Sequence, residues 1–129
     1  MKANLEKAIK NQSEKELIKC LDLKRRFKIH KNQYDLVVVA LSSTWHSQHE
    51  DLVNKLISDQ LQDDRFVQPI LSIALDKETF RWFDDELEST LRKCVHALKM
   101  INSKESNKAL IRLEKLQNDN VKFALELYE

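Results

Sequence analysis

The chain has 129 residues, 42% of them hydrophobic and 33% charged, and its 22 Lys and Arg nearly balance 21 Asp and Glu. Its glycine count is zero, where an average composition would supply about nine. Glycine serves positive φ and close backbone approach to a ligand, so Walker loops, dinucleotide fingerprints, nucleophile elbows and EF-hand loops in their usual forms are excluded, and primed two-residue hairpins, with the small β folds built on them, are disfavoured. The length suits one domain with its own core. The longest apolar run, Leu36 to Leu41, has six residues, far short of the roughly 20 that span a bilayer. With no signal-peptide h-region at the N-terminus, the reading is a cytoplasmic protein without a membrane partner.

Residues 1–32 hold ten Lys and Arg against four Asp and Glu, including the cluster Lys24, Arg25, Arg26 and Lys28. Residues 1–31 read as basic N-terminal helices, one of them marked by Leu17, Ile18 and Leu21. The LVVVAL run from Leu36 has strand propensity but no second run to pair with, and it reads as a buried helix beginning near Asn32. Leu52, Val53, Leu56 and Ile57 follow at helical spacing behind Trp45. The next helix carries Phe66, Val67, Ile70, Leu71, Ala74 and Leu75, with the single proline, Pro69, about five residues into it, where a proline removes a hydrogen bond and bends the first turns. Leu87, Leu91, Val95, Leu98 and Ile101 predict a long helix, and two more follow over Ala109 to Leu116 and Val121 to Tyr128. Ser43 or Thr44, Asp63 or Asp64, Asp84, Asn102 or Ser103, and Asn118 stand where a side-chain oxygen caps the next helix. Asn102 and Glu105 are spaced as a capping box.

An internal repeat emerges from the segments LISDQLQDD and LIRLEKLQND. Aligning them places Leu61 on Leu116 and Asp64 on Asp119, with Ala40-Leu41 answering Ala97-Leu98 upstream. Each unit reads as helix, turn, helix, Gln-Asx-Asp turn and the start of a third helix, the pattern of a helical solenoid. Residues 32–129 form these units, and the whole reads as a single all-α domain of stacked antiparallel helix pairs.

Cys20 and Cys94 sit beside apolar helix positions with neither metal-ligand spacing nor a catalytic context, and read as buried reduced thiols. Residues 50–90 hold eleven Asp and Glu against four Lys and Arg, an acidic centre that repels nucleic acid and suits a basic partner. His46 and His49 with Glu50 admit three readings: two ligands of a metal site that lacks a third, histidines hydrogen-bonded to a neighbouring helix or loop, and contacts to a partner. Phe80 and Phe83 read as core plugs. Trp82, flanked by charge, reads as an interface anchor. The acidic run from Asp84 to Glu88 reads as a solvated helix N-terminus that also suits the helix dipole. No nucleophile setting for an enzyme is present, and neither a metal nor a cofactor is expected.

Trp45-His46 followed by His49-Glu50-Asp51-Leu52, the Leu61-Gln62-Asp63-Asp64 turn, the Phe80 to Glu86 insert, and Arg92-Lys93-Cys94 with Ala97-Leu98 and Ile101 resemble a family of small HEAT-repeat-like bacterial proteins. The resemblance runs from Trp45 to Tyr128. It departs from the family in the turn after Ile101, which is Asn102-Ser103-Lys104 and lacks the usual Gly or Pro. It implies a short HEAT-like α-solenoid and the role of an immunity protein, which binds and neutralises the C-terminal toxin domain, a nuclease such as an RNase, of a contact-dependent growth inhibition or other polymorphic toxin system. Glu50, Asp51, Asp84, Asp85 and Glu86, with Trp45 or Trp82 as anchor and His46 and His49 beside them, are the expected toxin-binding residues. Two other roles fit the pattern: a HEAT-like adaptor in a larger assembly, and a nucleic-acid accessory protein that uses the basic cluster at Lys24 to Lys28.

Overall fold

In the computed structural model, which describes residues 2–21, 29–82, 84 and 88–128, every regular element is helical. The helices are α1 (Lys2–Lys10), α2 (Glu14–Cys20), α3 (Tyr34–Ser42), α4 (His49–Ser58), α5 (Val67–Leu75), α6 (Lys77–Phe80), α7 (Ser89–Ile101), α8 (Lys104–Glu114) and α9 (Asp119–Glu126). Short 3-10 turns over Lys31–Gln33 and Asp64–Phe66 lead into α3 and α5. The basic cluster at 24–28, with Phe83, Asp85, Glu86 and Leu87, lies outside the described residues.

The expected apolar stripes of the central helices fill the core. Leu52, Val53 and Leu56 of α4, Ile70, Leu71 and Ala74 of α5, Leu91, Val95 and Leu98 of α7, and Leu113 of α8 are all buried, whereas Ile18, Leu116 and Tyr128, also expected on inward faces, are exposed. Packing partners sort the central helices into two layers. In one, α5 lies between α3 and α8; in the other, α7 lies between α4 and α9 and also packs on α5 and α8 beneath it. The α1–α2 hairpin joins through α1 against α3. Among the described residues no helix is long and apolar enough to cross a membrane.

Turns without glycine are made by other residues in the left-handed region. Gln12, Gln60, Asn102 and Gln117 have φ of 49°, 53°, 50° and 53°. Three of them are followed at once by a capping side chain: Ser13 accepts from Glu16 N–H, Ser103 from Ser106 N–H, and Asn118 from Asn120 and Val121 N–H. Each such pair closes one helix and opens the next within two residues.

Several boundaries differ from expectation. Asn102 ends α7 in the left-handed region, and the capping box is the reciprocal pair Ser103 and Ser106, not Asn102 with Glu105. Ser43 ends α3 and neither it nor Thr44 caps α4, which begins at His49 after Gln48. Asp84 does not cap α7, whose N-cap is Glu88. Pro69 is the third residue of α5, which runs on directly from the 3-10 turn at Asp64–Phe66. The left-handed Gln60 and Gln117 pair the two Gln-containing turns 57 positions apart, the spacing of Ala40-Leu41 from Ala97-Leu98. Leu61 is therefore not equivalent to Leu116: the first is buried and the second half exposed.

Candidate functional site

The expected site residues fall into two clusters. The first is the corner between α3 and α4. His46 Nε2 donates to Ala40 O at 2.7 Å and His49 Nε2 to Ser43 O at 2.7 Å, so two imidazoles bond carbonyls at the C-terminal end of α3, where Ala40 O also accepts from the Ser43 N–H at 3.2 Å. The backbone N–H of Gln48 donates to His46 Nδ1 at 2.9 Å, which leaves the His46 proton on Nε2. The rings stack with centroids 4.3 Å apart, and each is met edge-to-face by an aromatic neighbour, His46 by Trp45 at 4.7 Å and His49 by Phe80 at 5.0 Å. Both histidines are buried and Trp45 is half-buried against the core. Burial lowers both imidazoles, His49 to about 4. From outside, Glu14 of α2 accepts from Ser47 Oγ at 2.9 Å and Gln48 Nε2 at 3.1 Å, and these bonds hold its carboxyl below the usual range. Of the three readings open for the histidines, hydrogen bonding to a neighbouring helix or loop accounts for both Nε2 atoms and for His46 Nδ1. Among the described residues no three His, Cys, Asp or Glu gather as a metal group would require.

The second cluster surrounds the first turn of α7. Arg81 is buried, and its guanidinium donates to Ile73 O at 3.1 Å and Ala74 O at 3.0 Å, capping the end of α5. It also pairs with Asp84 at 3.2 Å and Glu88 at 3.6 Å. Asp84 accepts a short hydrogen bond from the Thr90 hydroxyl. Glu50 of α4 reaches the same turn from the other side, accepting from Ser89 Oγ at 3.1 Å and Lys93 Nζ at 2.9 Å. Burial works against the Glu50 carboxylate, but the Lys93 and Ser89 partners outweigh it and lower its pKa. Glu88 accepts from Asn118 Nδ2 at 2.8 Å and so ties this turn to the start of α9. Carboxylates at a helix N-terminus meet its partial positive charge, which gives the acidic centre an internal role.

The expected acidic surface is therefore only partly on the surface. Asp51 is exposed and Glu50 half-buried, whereas the Asp84 side chain is 3% exposed and turned toward Arg81 and Thr90. Asp84 belongs to the interior because a buried arginine needs a carboxylate beside it. Trp82, the next residue after the fixed Arg81, is 63% exposed. Sequence reasoning missed Arg81, Thr90, Glu14 and Lys93. Asp84 is local to Arg81 and Thr90, but the Ile73 and Ala74 carbonyls bound by Arg81, the Ser47 and Gln48 side chains bound by Glu14, and the Glu50 bound by Lys93 are contacts that no spacing signals.

Comparison of the chain with protein-family models, curated proteins and solved structures returned no match.

Proposed function

We propose that this chain is a cytoplasmic protein-binding module of HEAT-like organisation that acts as an immunity protein, neutralising a cognate toxin domain by covering its active site. The observation that carries the protein-binding reading is Trp82. A large exposed aromatic side chain directly follows a residue whose guanidinium is fixed to two carbonyls and two carboxylates. Tryptophan is over-represented among the residues that dominate interface energy, and the fixed Arg81 reduces the chain that has to be ordered on binding. Exposed Asp51 and half-buried Glu50 supply negative charge that steers a basic partner. Asp84 takes no part in this surface. The toxin-specific part of the reading rests on the resemblance of residues 45–128 to HEAT-like immunity proteins.

The test is co-expression with a toxin C-terminal domain, sought in the open reading frame immediately upstream of this chain's gene. The expected result is co-purification and restored growth of cells that express the domain. A domain that stays toxic and does not bind at micromolar concentration overturns the immunity reading and favours the adaptor.

A further inference from the structure

We infer that the α3–α4 corner is an acid-released latch, closed while the stacked His46 and His49 rings each donate Nε2–H to a carbonyl at the end of α3 and opened when either ring takes a second proton. At His46 the hydrogen bonds allow one protonation state. His46 Nδ1 accepts from the Gln48 N–H at 2.9 Å, so a proton placed on that nitrogen would face a donor and break the bond that starts the approach to α4. The His49 ring lies 4.3 Å from His46 at an interplanar angle of 24°, so a charge on one ring opposes a charge on the other. Neither ring has solvent to carry that charge, since they are 5% and 2% exposed and hemmed in by Trp45 and Phe80.

The groups facing the pair come from four helices. Glu14 of α2 is the carboxylate that favours protonation of both rings. The end of α3 presents the Ala40 and Ser43 carbonyls, which also favour the charged form. Glu50, on α4 beside His49, is turned to Ser89 and Lys93 of α7, and α6 contributes the uncharged Phe80 ring. Burial outweighs the carbonyls and Glu14 and holds both rings below their usual range. An unfolded or locally opened corner titrates near 6.5. It therefore binds more protons than the closed one from about pH 6.5 down to about 4, and closure weakens as the pH falls through that window. Opening frees residues 43–48 and, through the Glu14 bonds to Ser47 and Gln48, loosens the start of α2.

The latch is a property of the chain alone, independent of any partner. The test compares the wild-type protein with His46→Gln/His49→Gln, in which an amide replaces each Nε2–H donor and cannot titrate. Urea unfolding between pH 6.5 and 4.5 is expected to show the wild-type folding constant falling at least about thirtyfold further than the variant's. Wild-type imidazole nitrogen spectra are expected to show Nε2–H tautomers for both rings with no titration near 6.5, and the amides of 43–49 to exchange faster relative to the core as the pH falls. Equal pH slopes in the two proteins, or rings that titrate near 6.5, overturn the proposal. If the double variant does not fold, the wild-type spectra decide alone.

Discussion

Arg81 and Asp84 form an ion pair at 3.2 Å with side chains only 5% and 3% exposed, within a cage completed by the Ile73 and Ala74 carbonyls, Glu88 and Thr90. Charge reversal at Asp84 would place a lysine against that arginine. Breaking a buried pair by removing one partner costs about 3–5 kcal/mol because the other charge stays buried. Asp84→Lys is therefore expected to lose most or all of its folding stability. Asp84→Asn keeps the shape and loses less. Urea titrations followed by circular dichroism separate the two. An Asp84→Lys protein as stable as wild type would remove this pair from the structural framework, and with it the explanation for why this part of the acidic centre is not a docking surface.

Trp82 carries the opposite expectation. Its side chain is mostly outside the core, so Trp82→Ala is expected to change folding stability by no more than about 0.5 kcal/mol. Loss of an interface anchor costs about 2 kcal/mol or more, roughly thirtyfold in Kd. Calorimetry against the proposed toxin partner, with unfolding curves for both proteins, measures the two effects. Asp51→Lys, at an exposed site, is expected to slow association while leaving the dissociation rate nearly unchanged. An unaltered affinity for Trp82→Ala would move the anchor elsewhere on the surface.

Helix content was readable because the apolar spacing alone determines which face is buried. Leu91, Val95, Leu98 and Ile101 of α7 all point inward as their spacing requires. Boundaries were less readable. The corner after α3 is closed by histidines donating to carbonyls, not by a side-chain oxygen accepting from N–H groups, and a search for capping residues looks only for the latter. The acidic run misled for a related reason: nothing in local spacing reveals that Arg81 turns back onto the end of α5 and draws Asp84 in with it. The exposed Trp82 was legible as an odd aromatic among charges. The partners of Glu50 and Glu14 were not, since Lys93 and Ser47 become neighbours only through tertiary packing.

The glycine-free turns invite a stabilising substitution. Gln117 sits at φ 53° with an exposed side chain, a conformation that costs a non-glycine residue about 1–2 kcal/mol. Glycine removes that cost and adds about 0.5–1 kcal/mol of unfolded-chain entropy to be overcome. Gln117→Gly and Gln60→Gly are each expected to gain a few tenths to about 1 kcal/mol. Asn102→Gly should gain less, because asparagine tolerates the left-handed region better than glutamine. Glu88 is the control. It too has positive φ, but its carboxylate bonds Asn118 and Lys77 and pairs with Arg81, so Glu88→Gly is expected to destabilise. Midpoints of urea unfolding rank the four variants. A loss of stability in both glutamine variants would show that their side chains contribute more than the backbone cost.

Cys94 lies at the centre of the same framework. It is fully buried in α7, and burial, with Asp84 and Glu50 adding to it and Arg81 opposing, pushes its thiol up to about 12. The thiolate is the reactive species, so at pH 8 only about one molecule in ten thousand carries it, and that sulfur has no path to solvent. In a Cys20→Ser protein, which leaves Cys94 as the sole thiol, a disulfide reagent is expected to label nothing in the folded state over minutes. It should label one thiol at once in denaturing urea. At intermediate urea the labelling rate should follow the unfolded fraction measured by circular dichroism, since opening of the core is what admits the reagent. Asp84→Asn weakens the cage around α7 and should raise the rate at any given urea concentration about tenfold for each 1.4 kcal/mol of stability it loses, until the unfolded fraction saturates. Rapid labelling of the folded protein in buffer would mean that the first turns of α7 open far more readily than the Arg81 cage allows.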